Sequence, residues 1–445
     1  MSHGTSDWHR TGIQRIRQLA IEANTPIAIL VDLAGPKIRV GDLPKEERLF
    51  VRDQTVLLQP QTSSALANKS AHHIDHELPI NLQSFPKALK PGHIVLIDEG
   101  NISLKVHSME PDRLICTVVT GGTVTSRKGV NFPGLPLDIP GFTEKDAEDL
   151  QIAVKEKVDY VALSFVRSPE DIRTVQTALS EQSSTIPVIA KIERPEALTC
   201  FDDILEIADG VMVARGDLAL ELSPEEVPLL QKRIIAQANQ RGKPVITATQ
   251  MLESMTRLPA PTRAEASDVA NAVLDGTDAV MLSAETSTGN FPIEAVEVMD
   301  RIIRHTEKDG GIQRPNSESA TATLLSTPEA ICETAASLSG LVGAQAIVVF
   351  TTSGNTAMLL ARYRPTVPIL ALTPSDFVTR HLALVWGVAS WVFPQVDATD
   401  ERIHSAQDFL KNLGLIHESQ LIVIVTGERL GYEVGTNLIK LHLVI

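Results

Sequence analysis

The chain has 445 residues, 43% of them hydrophobic and 21% charged, a balance that suits about three folded domains and excludes wholesale disorder. A formal net charge of −15 without a long basic run argues against nucleic acid or an anionic membrane as a main partner. Cys116, Cys200 and Cys332 lie too far apart for a disulfide framework or zinc pattern, no apolar run approaches the roughly 20 residues needed to span a bilayer, and Met1 to Arg10 carries no signal-like apolar segment, so a cytoplasmic location is expected.

From the N-terminus onward, a short apolar run ending in polar residues recurs, followed each time by a helical stretch. Such runs fall at 27–32, 158–165, 186–193, 210–217, 244–249 and 279–285, with helical periodicity at 224–240 and 292–303. Strand–helix alternation predicts a parallel sheet, because parallel neighbours need crossover connections. In such folds the chemistry gathers at the carboxyl ends of the strands. Those ends here carry Asp32, Ser164, Lys191 with Glu193, Asp217, Thr249, and Ser283 with Glu285.

The texture changes over 43–127. Alternating runs such as 55–58 and 102–106, with turns at Lys90-Pro91-Gly92 and Asp98-Glu99-Gly100, predict an inserted β domain. A polar stretch at 309–328 reads as a linker. Beyond it, 344–351, 367–372 and 420–425 read as strands of a separate C-terminal α/β domain over 329–445. The barrel domain is then 1–42 plus 128–308. It offers six strands where a closed (β/α)8 barrel needs eight.

Lys191 and Glu193, two apart on a strand, face the same way. Asp217 ends the next strand. One lysine and two carboxylates on neighbouring strand ends suit a magnesium ion beside a phosphoryl group, since magnesium takes one or two protein carboxylates and leaves its other positions to water and substrate. Each acid taken alone reads first as a salt-bridged loop residue; together, at successive strand ends, they point to the site. Thr249 caps a further strand, where it either starts the helix near Gln250 or serves the site.

The ordered motifs resemble the pyruvate kinase family. They are Lys191-Ile192-Glu193, Met212-Val213-Ala214-Arg215-Gly216-Asp217-Leu218, Ala248-Thr249-Gln250-Met251-Leu252-Glu253-Ser254-Met255, Pro261-Thr262-Arg263-Ala264-Glu265, Asp268 through Gly276, Met281-Leu282-Ser283-Ala284-Glu285-Thr286, and Lys128-Gly129-Val130-Asn131-Phe132-Pro133-Gly134. The resemblance implies phosphoryl transfer from phosphoenolpyruvate to ADP, giving pyruvate and ATP. The fold it implies is an α/β TIM barrel lacking its first two strands, with an inserted β-barrel lid and a C-terminal α/β regulatory domain. By position it makes Glu193 and Asp217 the Mg2+ ligands and Lys191 the cation facing the transferring phosphoryl group. Thr249 falls beside the enolate and Arg39 becomes a second cation. Ser164, Phe165 and the Ala214-Arg215-Gly216 backbone line the substrate pocket, and Lys128 and Asn131 fall to the nucleotide. A homotetramer is also implied, with 250–275 near one subunit contact.

Two departures stand out. Asp32-Leu33-Ala34-Gly35-Pro36-Lys37-Ile38-Arg39 replaces the commoner Asp-Thr-Lys-Gly-Pro-Glu-Ile-Arg of the family. In members with lysine at the position of Lys37, its ammonium stands in for a potassium ion, the same unit charge. Ser2, Asp32, Leu33 and Lys37 form that monovalent-cation region, and activity without K+ is expected, the alternative being an ordinary surface lysine. Secondly, Met1-Ser2-His3-Gly4 matches the end of the family's Arg-x-Asn-Phe-Ser-His-Gly, so its arginine and asparagine are absent and two barrel strands are expected upstream. Either the start lies further upstream or the chain is a shortened isoform.

In the C-terminal domain, Thr351-Thr352-Ser353-Gly354-Asn355-Thr356 follows a strand and precedes a helix. On its residues this is a helix cap with a turn. By resemblance it is a loop holding a phosphorylated effector. Besides the active kinase, a catalytically impaired homologue that binds phosphometabolites or serves as an oligomer subunit fits the missing arginine. Another phosphoenolpyruvate-using barrel finds no support in the inserted domain or the Thr249 motif.

Overall fold

The computed structural model describes residues 1, 4–43, 47–60, 74–82, 84–110, 113–135, 139–308, 325–396, 399–427, 429–430 and 433–445. Ser2 and most of the expected linker lie outside them.

Six parallel strands form the first sheet, in chain order: Leu30–Leu33, Tyr160–Leu163, Val188–Ile192, Gly210–Ala214, Val245–Ala248 and Ala279–Val280. They coincide with the six runs read from the sequence. The second, third, fourth and fifth are buried at every position, because helices cover one face and the inside of the curve the other. Leu33, Val161, Val188, Val213 and Val245 are among those that join the helices in the largest core, while Tyr160, Ala162, Ile189, Met212 and Ile246 pack in a second layer. The sheet is curled in the manner of a TIM barrel.

Between its first two strands the chain builds a separate sheet. Its order is His76–Ile80, Thr55–Pro60, Arg113–Thr120, Ile102–Glu110, Ile94–Ile97 and Val130–Asn131, and Glu47–Phe50 pairs apart with Gly122–Thr125. Inward Phe50, Val56, Leu58, Leu104 and Val118 form its own core. The chain enters and leaves this body side by side: Arg39 bridges Gly129, Val40 N donates to Lys128 O (2.8 Å), and Val130 N to Ile38 O (2.9 Å). At its tip Asp98, Glu99 and Gly100 have successive positive φ of 54°, 55° and 82°. The turn rests on Leu220, whose Cδ2 lies 3.2 Å from where a Gly100 Cβ would stand.

The C-terminal sheet has five strands: Val388–Val392, Ile369–Thr373, Ile347–Phe350 and Leu421–Thr426 are parallel, and Leu438–Leu443 runs antiparallel at the edge. The sequence reading found the middle three. It missed Val388–Val392 and Leu438–Leu443, where only one or neither face is buried and apolar runs are broken.

This body docks on the barrel through charges and rings. Asp159, fully buried, accepts from Arg17 (2.6 Å), from Arg380 (2.9 Å) and from the Ile29 amide (2.7 Å). His381 stacks on both Tyr160 and Phe377, at 4.5 and 5.9 Å between centroids, and the Tyr160 hydroxyl donates to the His381 carbonyl. Arg364 packs over Trp386 and pairs with Asp278 at 3.2 Å. Among the described residues no helix is long and apolar enough to cross a membrane.

Candidate active site

At the carboxyl ends of the central strands Lys191 is 7% exposed and Glu193 1% exposed. The Lys191 ammonium donates to Ser164 Oγ (2.8 Å) and to both Asp32 oxygens (3.1 and 3.2 Å), and it pairs with Glu193 Oε1 at 3.0 Å. Burial on its own would lower its pKa, but Glu193 and Asp32 together outweigh that and hold it raised, so Lys191 is a permanent cation. Glu193 spends its other oxygen on the Phe165 amide (2.8 Å). Burial raises the Glu193 carboxyl, Lys191 opposes this, and Asp217 adds to it. Asp217 is likewise raised by burial, with Lys37 and Lys191 opposing and Glu99 of the inserted sheet adding.

Around these two carboxylates Asp32 and Glu99 add negative charge, which Lys191 and Lys37 oppose. Among the described residues no three His, Cys, Asp or Glu converge as a metal cage. Two carboxylates of this kind could serve a hard divalent cation that takes the rest of its shell from water and ligand oxygens.

Several site residues sit in costly backbone conformations. Phe165, Thr249 and Gln250 have φ of 56°, 70° and 54°, and positive φ is a genuine outlier for a β-branched threonine. Arg215 pins the turn. Its guanidinium donates to Ala248 O (3.3 Å), Thr249 O (2.7 Å) and Gln250 O (3.3 Å), and pairs with Asp268 at 2.7 Å. The Gly216 amide donates to Thr249 Oγ1 at 2.8 Å. The Arg215 side chain is thus committed to the neighbouring strand end, leaving only its backbone toward the site. Gly35 is a glycine of necessity: at φ 63° a Cβ would come within 2.9 Å of the Phe165 ring.

The cleft between inserted sheet and barrel holds about 490 Å3 and is lined by Lys37, Arg39, Lys128, Asn131, Phe165 and Asp217, among others. Lys128 pairs with Asp98 at 2.7 Å, and Arg39 donates to Arg127 O at 2.9 Å. Leu33 is fully buried beneath the site, while Asp32, on the same strand, reaches Lys191. Ser2 lies outside the described residues.

Comparison with known proteins decides the lineage. The profile described as "Pyruvate kinase, barrel domain" matches residues 1–296, and "Pyruvate kinase, alpha/beta domain" matches 329–442. The chain belongs to the pyruvate kinase family. It is 42% identical to pyruvate kinase 2 of Synechocystis sp., covering all of this chain and 74% of that one. The pyruvate kinase of Corynebacterium glutamicum is 40% identical over 99% of this chain and 90% of its own. A crystal structure of a pyruvate kinase from Cryptosporidium parvum superposes with a TM-score of 0.89 at 35% identity, covering all of this chain and 90% of that one.

Among the charged side chains that line this cleft of a pyruvate kinase family member, Glu99, Arg167, Arg194 and Glu221 are some that sequence motifs did not point to. Arg167 Nη1 donates to Ile139 O at 3.0 Å. They follow the strands by a few residues, outside the motif cores, and a charge beside a motif carried no signal of its own. In the C-terminal body, Thr351, Thr352, Ser353 and Thr356 line a second cleft of about 400 Å3 together with Arg402. Gly354, at φ 89°, begins the Asn355–Arg362 helix and donates its amide to Thr351 Oγ1. The Arg402 guanidinium lies over Phe350 at 4.9 Å.

Proposed function

We propose that this chain transfers the phosphoryl group of phosphoenolpyruvate to ADP, yielding pyruvate and ATP. The observation that carries the reading is the buried Lys191 ammonium, held by Ser164, Asp32 and Glu193, with Asp217, which lines the cleft, acting electrostatically on Glu193. Glu193 and Asp217 would hold Mg2+, which supplies positive charge to the phosphoryl and enolate oxygens. Lys191 adds a fixed charge on the phosphoryl group as the enol P–O bond breaks and the bond to the terminal ADP oxygen forms. Phosphoryl transfer is mostly positioning and charge stabilisation, which this cluster is suited to provide. The enolate then takes a proton at carbon, relayed by water past the Thr249 hydroxyl. The Gly216 amide would release Thr249 to bind the substrate carboxylate, with Arg39 as a second cation and Lys128 and Asn131 toward the nucleotide. The inserted sheet acts as the lid, and Ser164 and Phe165 line the pocket.

Lys37 faces the same cleft and lowers the Asp217 carboxyl against the effect of burial, which supports its standing in for potassium. Equal turnover in sodium and potassium buffers is expected, and a large potassium stimulation would sink the idea. A homotetramer and a phosphorylated effector at Thr351–Thr356 complete the proposal. Light scattering tests the first, and activation by sugar phosphates or nucleotides the second. The central test is pyruvate release coupled to lactate dehydrogenase, with and without Mg2+. No pyruvate from the folded protein would falsify the reading.

A further inference from the structure

The segment returning from the lid to the barrel is gripped by side chains that leave the barrel directly beside the two site carboxylates. Arg194 follows Glu193. Glu221 lies four residues after Asp217 on the Arg215–Glu221 helix, hence on the same face. Arg194 is 3% exposed and Glu221 8% exposed, and they pair at 2.6 Å. Their remaining polar atoms hold the lid root: Arg194 Nη2 donates to Leu135 O at 2.8 Å, and the Gly134 amide donates to Glu221 Oε2 at 3.2 Å. Glu196 accepts from Arg194 Nη2 at 3.0 Å and from Nε at 3.3 Å, which keeps the guanidinium plane fixed.

A buried ion pair gives little net stability over a well-packed apolar pair, and its best-attested use is to set registry. Here the registry joins three pieces of backbone: the end of the Val188–Ile192 strand, the Arg215–Glu221 helix and the lid root. We propose that Arg194 and Glu221 form a clasp coupling the seating of the lid to the spacing of Glu193 and Asp217, so that divalent-cation binding and lid seating favour one another. The inference rests on reading Glu193 and Asp217 as the cation ligands. Neither Arg194 nor Glu221 touches a reacting atom in that reading, so both are positioning residues.

Coupling of this kind is reciprocal, so it can be measured without turnover. In the unmodified protein, Mn2+ should slow hydrogen exchange at the Gly134 and Leu135 amides; exchange that ignores bound Mn2+ overturns the clasp. The variants Arg194→Gln and Arg194→Gln/Glu221→Gln come next, the double change removing both charges so that neither is left buried alone. With circular dichroism unchanged, the double variant should bind Mn2+ at least about tenfold more weakly in an electron-spin titration. It should also exchange Gly134 faster and raise KM for ADP more than it lowers kcat. A folded double variant with wild-type Mn2+ affinity and exchange rules the coupling out, whereas a wild type that binds Mn2+ but releases no pyruvate counts against the reaction alone. If neither variant folds, the exchange measurement on the unmodified protein decides.

Discussion

At Lys191 the ammonium is enclosed by Ser164, Asp32 and Glu193, so its removal acts twice. Lys191→Met takes away the fixed charge at the phosphoryl position, and turnover in the coupled assay should fall by about 10²–10³ or more. It also leaves Glu193 buried without its cation, so a denaturant melt should show a loss of about 3–5 kcal/mol. Arg215 makes a different prediction. Its planar fork holds three carbonyls of the left-handed turn at Thr249, which an ammonium on a flexible stem does not reproduce. Arg215→Lys should destabilise by about 1–3 kcal/mol in a urea melt, the range for stranding buried acceptors. Lys191, Glu193 and Asp217 were legible as a set because strand ends in a parallel sheet point one way. The commitment of Arg215 to its neighbour was not, since side-chain direction after a strand end depends on a partner 53 residues further on, Asp268.

Helix ends carry their own tests. Thr143 and Asp146 form a reciprocal capping box at the Glu144–Lys155 helix, which also positions Asp146 to accept the Gly35 amide (3.1 Å). Thr143→Ala should cost about 1 kcal/mol by thermal melt. Ser183 ends the Pro169–Glu181 helix region exposed and at φ 56°. Ser183→Gly should stabilise by about 0.5–1 kcal/mol, because glycine bears that conformation without a Cβ penalty. The four central barrel strands were readable as apolar runs since both their faces are covered. Val388–Val392 and Leu438–Leu443 were not: the one buried position of the first is the polar Ser390, and the second carries Lys440 and His442 in a run too short for alternation to stand out.

Across the molecule, the contact of barrel and C-terminal sheet should respond to acid. Burial holds the His381 imidazole below its usual pKa, with Asp209 and Asp159 only partly opposing; Arg380 and Arg17, bound to Asp159, face the same region. The unfolded chain therefore takes up a proton near pH 6.5 that the folded chain refuses. Stability from this residue is complete above about pH 6.5 and is lost as pH falls below it. Urea midpoints followed by the fluorescence of Trp386 and Trp391 should drop between pH 7 and 5.5, and His381→Gln should flatten that slope. An unchanged slope would remove His381 from the account.

The paired crossing at Arg39 and Gly129 bears on the order in which the chain acquires its shape. Leu30 must find Tyr160 across the whole inserted sheet, a long closure for a nascent polypeptide. If the insert condenses first, its two ends emerge already side by side, and the stretch left to close shrinks roughly threefold, lowering the entropic cost by about 1 kcal/mol. An insert that matures early would thus speed barrel assembly, so a core-disrupting change such as Leu104→Ala should slow refolding of the barrel itself, a delay that stopped-flow traces on either body can detect.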